Sequence, residues 1–250
     1  MIFYFSGTGN SLYVAKALAG GQEIKNIALC EPSEFIDTEI GFISPVYCGL
    51  LPKIVADFIN KSKFKSEYIW AVMTCGGGEG NTYKQLQGLL KEKGNALDFA
   101  TRIVMPDNCI VFKTSQEKRA ELLSITEKEV YKIREQINKR ERQSISSKYN
   151  KLGGNVMWKL LRSVYKIDRR EVSSSCNGCG ICAKLCPKKC IEIKGGKPNF
   201  ADGCAYCFAC IQWCPKSAIS FGKLKVGGTS KYTNPNIQID EMLARNKDKH

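Results

Sequence analysis

The sequence predicts an α/β protein: a doubly wound parallel sheet of five strands, followed by a small α+β domain organised by cysteines. Three observations carry this expectation. Short apolar runs alternate with helix-period segments along residues 1–143. The first run feeds a Gly-rich loop that opens a helix. Eight of the thirteen cysteines then fall into two copies of one phrase. Alternating strands and helices imply a parallel sheet covered on both faces.

The elements follow in order. Ile2–Phe5 is a short apolar strand leading into Ser6-Gly7-Thr8-Gly9-Asn10-Ser11, and Leu12–Ala19 has helical spacing. Ile24–Ile27 and Ile40–Pro45 are the next strands. Pro52–Phe58 suits a helix with proline in its first turn. Tyr68–Met73 is a buried strand, Thr82–Leu90 a helix and Phe99–Met105 the fifth strand. Lys118–Ile137 is a long helix with Leu123, Val130, Ile133 and Ile137 on its apolar face. Residues 144–172 form a basic connector, polar over Ser144–Asn150. Within it Val156–Tyr165 is a short amphipathic helix. Residues 173–222 hold the paired cysteine phrases, and 223–250 form a polar C-terminal tail with a partly apolar stretch at Ile237–Leu243.

Composition narrows the chemistry. At 250 residues the chain has room for two domains, and 43% hydrophobic residues suffice for a packed core. No apolar run approaches the ~20 residues of a spanning helix, so no transmembrane segment is expected. Met1–Phe5 is too short and uncharged for an export signal. Thirteen cysteines then read as metal ligands and reduced thiols of a cytoplasmic protein. The one histidine, His250, excludes His-based triads and Rieske ligation. The formal charge is +14, and ten Lys/Arg against two Asp/Glu lie between Lys139 and Arg170. That stretch reads as a solvated linker, or as a contact for an acidic redox partner or a membrane surface. No nucleic-acid motif accompanies it.

The cysteine phrases are Cys176-x2-Cys179-x2-Cys182-x3-Cys186-Pro187 and Cys204-x2-Cys207-x2-Cys210-x3-Cys214-Pro215. This is the bacterial pattern for [4Fe-4S] ligation. A shift of 28 residues superposes the phrases and lays Ile191 on Ile219 and Ile193 on Phe221. Between them, Ile191–Phe200 alternates around Gly195-Gly196, a hairpin with a two-residue turn. Zinc ribbons use separated Cys pairs, which these four-cysteine runs are not. Cys190 falls opposite Ala218 and reads as a small buried residue. Cys30, Cys48, Cys75 and Cys109 read likewise as buried thiols.

The loop at 6–11 lacks the lysine of a Walker A loop and the third glycine of a dinucleotide fingerprint. Its hydroxyls at a helix N-terminus suit a phosphate without a metal.

Together these motifs resemble two known families. Residues 173–222 resemble the bacterial two-[4Fe-4S] ferredoxins. That resemblance implies a crossed ligand set: Cys176, Cys179, Cys182 and Cys214 on one cluster, and Cys204, Cys207, Cys210 and Cys186 on the other. Phe5–Ser11 resembles the FMN phosphate loop of flavodoxins, and the likeness extends over 1–143. It implies the strand order 2-1-3-4-5 and a phosphate site at Ser6, Gly7, Thr8, Gly9, Asn10 and Ser11. The loop Pro45-Val46-Tyr47-Cys48-Gly49 would then lie against the flavin ring, and Thr74-Cys75-Gly76-Gly77 along its edge. Neither ring loop has the acidic residues and tryptophan common in free flavodoxins. The whole resembles the flavodoxin–ferredoxin fusions of anaerobic bacteria. The resemblance implies FMN, two [4Fe-4S] clusters and intracellular electron transfer with a redox partner. A flavin-dependent reductase, or an iron–sulfur carrier whose first domain only docks, are the alternatives.

Overall fold

A computed structural model describes residues 1–111, 114–146, 148, 151–226 and 231–243. Its central sheet has five parallel strands: β1 (Ile2–Tyr4), β2 (Ile24–Asn26), β4 (Glu39–Pro45), β6 (Tyr68–Cys75) and β7 (Phe99–Val104). Their order is β2-β1-β4-β6-β7. Numbering these five alone gives 2-1-3-4-5, the order expected from the flavodoxin resemblance. All eight residues of β6 are buried, as are six of seven in β4. Such continuous apolar burial is what a parallel sheet covered on both faces requires. Helices α1 (Asn10–Leu18) and α4 (Gln116–Asn138) pack together, and α2 (Lys53–Lys61) packs beside α3 (Thr82–Lys91).

Several expectations shift. Two further strands, β3 (Glu34–Ile36) and β5 (Lys63–Lys65), form a separate parallel pair. Three residues each, they carry too short a pattern to be read. Phe35 and Phe64 tie this pair to the sheet, stacking at 5.9 Å and meeting Phe3 at 4.7 and 5.9 Å. Each such aromatic pair contributes about 0.5–1.5 kcal/mol beyond burial. Pro52 caps α2 rather than entering it. On α4 Val130, Ile133 and Ile137 join the main core and Leu123 packs against it, as expected; Leu122 and Thr126 are buried as well. Helix α5 spans Lys151–Tyr165, a full turn longer at its start than its apolar pattern indicates.

The cysteine region folds from β8 (Arg170–Val172), α6 (Ile181–Leu185), β9 (Ile191–Lys194), β10 (Lys197–Phe200), α7 (Ala209–Gln212), β11 (Ile219–Phe221) and β12 (Leu224–Lys225). The β9–β10 hairpin turns through Gly195 and Gly196, both at positive φ, the signature of a type I′ turn. The internal repeat is visible in the backbone. Positive φ recurs at Gly178 and Tyr206, at Gly180 and Phe208, and at Lys189 and Ser217, each pair 28 residues apart.

The expected polar tail is partly built in. Residues 231–238 and α8 (Ile239–Leu243) pack on the main core through Ile237 and Met242. The remainder of the tail, 227–230 and 244–250, lies outside the described residues, as do 147, 149 and 150 of the connector.

Candidate functional site

The order of the sheet reverses between β1 and β4, and the loops after these strands open a crevice at their carboxyl ends. Gly9, at φ 99, precedes the first residue of α1. Its N–H donates to Ser6 Oγ at 3.1 Å. Ser11 Oγ meets Thr74 Oγ1 at 2.8 Å, joining the first loop to the end of β6. Ser6, Gly7, Thr8, Asn10, Ser11, Pro45, Val46, Thr74, Cys75 and Gly76 line one small polar cavity. Gly77 stays exposed and outside it, and Gly49 is turned away toward Gly80.

Three further residues, Pro106, Asp107 and Asn108 after β7, complete that cavity. Asn108 Nδ2 donates to Thr8 Oγ1 at 3.2 Å. Asp107 supplies the acidic group that the two expected loops lack. Burial pushes its carboxyl above the ordinary value, against the hydrogen bond from Cys109 N–H. The rule that sites sit at carboxyl ends of parallel strands, applied to Phe99–Met105, would have found this loop.

A larger cleft of about 480 Å3 adjoins it and shares Val46, Gly76, Asp107 and Asn108. Its floor is the turn Tyr47–Leu50, closed by paired backbone hydrogen bonds of 2.9 and 3.0 Å with Cys48 and Gly49 both at positive φ. Its roof is α5, through Gly154, Met157, Trp158 and Leu161. Its third wall is Cys204-Ala205-Tyr206 with Phe208. Tyr47 Oη is buried without a hydrogen-bond partner among the described residues. An unpaired buried hydroxyl costs about 1–3 kcal/mol. A bound group with an acceptor would remove that cost. Cys75 is buried as expected and burial raises its thiol to about 11; Cys48, Cys30 and Cys109 are only partly buried, and partial burial raises the Cys48 thiol. Cys109 also lines the cleft.

The eight phrase cysteines gather into two sets. Cys176, Cys179, Cys182 and Cys214 line one cavity with Ile193, Pro198 and Ile219. Cys204, Cys207, Cys210 and Cys186 line another, together with Cys190, Phe200, Phe208 and Phe221. Of the phrase cysteines, each cavity takes three from one phrase and one from the other. Among the described residues no three His, Cys, Asp or Glu side chains converge as on a single metal ion. Burial lifts Cys182 to about 11 and Cys207 to about 12. Cys190 is buried as expected, yet its Sγ stands 3.4 Å from Cys186 Sγ, in contact with the second set.

Contacts from distant sequence brace the Ser6–Ser11 loop. Asn234 N donates to Thr8 O at 2.8 Å. Asn10 Oδ1 accepts from Tyr232 Oη at 2.7 Å and Asn234 Nδ2 at 3.0 Å, while its Nδ2 donates to Pro106 O. Lys231 Nζ reaches Cys214 O at 2.6 Å.

No family model matches the chain, and no curated protein matches it. Among solved structures it is similar to one described as a "putative flavoprotein from Bacteroides eggerthii DSM 20697", at 18% identity and a TM-score of 0.34. The match covers 50% of this chain and 96% of the other.

Proposed function

We propose that the chain is an electron-transfer protein carrying two [4Fe-4S] clusters and one FMN. A flavodoxin-like unit would span 1–143, a basic linker 144–172 and a ferredoxin-like unit 173–222. The observation that carries this reading is the sorting of eight cysteines into two crossed sets of four around separate, apolar-walled cavities. Four ligands of a cubane stand apart around its corners, so they need not converge on one point as ligands of a single ion do. The thiols must shed their protons on ligation, which metal binding enforces.

The flavin's phosphate fits the polar cavity at Ser6–Ser11, where backbone N–H groups open α1. Its ring fits the cleft that Tyr47 and Cys48 line. Cys204, Ala205 and Phe208 line both that cleft and the second cysteine cavity, so the two sites share a wall. The first cavity lies at the other end, where Cys179 is exposed. Clusters carry single electrons, and FMN exchanges one or two. The chain's part is to space these groups and exclude water around the second set with Phe200, Phe208 and Phe221.

The cleft supports a second reading, a flavin-dependent reductase, because its volume falls within the range of small-molecule sites. One anaerobic experiment tests both readings: iron, sulfide and flavin counts with absorbance spectra before and after dithionite. About eight irons per chain are expected for two clusters, with about one FMN. Fewer than about six irons overturns the two-cluster reading. Reoxidation that depends on an added small substrate favours the reductase.

A further inference from the structure

The geometry points to α5 as a surface helix that docks the protein on an anionic lipid bilayer. Leu152, Val156, Leu160 and Val164 recur every four residues and are 66, 54, 60 and 47% exposed. With Met157 they are five of the eight large exposed hydrophobics among the described residues. Apolar exposure is therefore concentrated on one helix rather than scattered.

The opposite face fixes the helix to the body. A Cβ on Gly154 would stand 2.7 Å from Cys48 O, so α5 sits directly on the Tyr47–Leu50 turn. Trp158, Leu161 and Tyr165 pack on the core of the cysteine region. The outward stripe is thus held in place, about 18 Å long from Leu152 to Val164 at 1.5 Å per residue.

Charge decides the occupant. At 100° per residue Lys159 falls along one edge of the stripe, Lys166 follows directly after the last residue of α5, and both are exposed. The sequence of α5 contains no acidic residue. The stripe is convex and purely aliphatic. Protein interfaces concentrate their energy in aromatic and arginine anchors seated in pockets. An aliphatic ridge with a basic margin is the form that lies in a headgroup layer, its apolar side reaching about 5–10 Å inward. No helix among the described residues is long and apolar enough to cross a membrane, so the contact is peripheral.

Co-sedimentation of the anaerobically purified full chain with vesicles tests this. The vesicles are phosphatidylcholine alone, or phosphatidylcholine with about a third phosphatidylglycerol. Binding is expected to the anionic vesicles, weakening with salt. Leu160→Glu is expected to weaken it at least about tenfold. Lys159→Glu with Lys166→Glu should lower it by about fivefold per lysine. Unchanged circular dichroism and iron content establish that each variant is folded. Absence of binding to anionic vesicles overturns the proposal, as does wild-type binding by Leu160→Glu. Equal binding to neutral vesicles overturns the anionic assignment. A dimer that Leu160→Glu dissociates, with no vesicle binding, assigns the stripe to a second copy of the chain and also overturns it.

Discussion

The indole Nε1 of Trp213 donates to the carbonyl oxygen of Gly7 at 3.1 Å. The turn that ends the second cysteine phrase is thereby keyed to the loop that opens the first helix, 206 residues away in sequence. A Cβ built on Gly7 would stand 2.4 Å from the carbonyl oxygen of Cys207. The two candidate sites touch through backbone, with no side chain between them.

Gly7→Ala therefore forces these segments apart. Overpacking of this kind costs about 1–3 kcal/mol. Denaturant unfolding should show that loss, and the flavin-to-iron ratio should fall because the loop is displaced. Wild-type stability in Gly7→Ala would mean that the two loops do not meet.

Asn10 holds three buried partners at once. Asn10→Ala leaves Tyr232 Oη and Asn234 Nδ2 without their acceptor. At about 1–3 kcal/mol for each stranded donor, a loss of several kcal/mol is expected. Limited proteolysis should then cut within 231–243 while leaving 1–104 intact. Uncut chain after prolonged digestion would show that Asn10 does not retain this segment.

The crossed cysteine sets make a pairing prediction. Cys214→Ser and Cys176→Ser should alter the same cluster signal in low-temperature electron paramagnetic resonance, although the residues belong to different phrases. Cys186→Ser should instead resemble Cys204→Ser. Cys190→Ala should keep about eight irons, since Cys190 lies outside both phrases although it lines the second cavity beside Cys186. Matching spectra for Cys214→Ser and Cys210→Ser would refute the crossing.

Asp107 tests the polar cavity by pH. Burial holds its carboxyl above the ordinary value of 3.8. An acid raised in the folded state favours folding below 3.8 and loses that contribution as pH rises through the raised value. Asp107→Asn keeps the acceptor for Cys109 N–H and removes the buried charge. Its melting temperature should exceed the wild type's at pH 8, and the gap should shrink as pH falls toward the ordinary carboxyl value of 3.8. A gap that widens on acidification would contradict this.

The sheet was legible because both-face burial writes itself as continuous apolar runs, of which Tyr68–Met73 is the clearest. Gly195-Gly196 announced its hairpin, and the 28-residue spacing recurs in the backbone at Tyr206 and Phe208. Where the sequence was silent, the interactions are non-local. Nothing near Tyr232 or Asn234 marks them as partners of Asn10, because their geometry exists only after the fold closes. Trp158 reads as one more apolar position of an amphipathic helix. Only the tertiary structure turns it toward Tyr206, at 4.8 Å in edge-on contact. Leu123, Val130, Ile133 and Ile137 were legible on α4 because their spacing puts them along one side of the helix, and all four meet the main core.

The contact between Asn10 and Tyr232 spans 222 residues. Synthesis at about 5–20 residues per second puts roughly 10–40 s between the emergence of one and of the other. During that interval the Ser6–Ser11 loop exists without its brace. The loop therefore gains its last hydrogen-bond partners only once residues 231–243 have been made.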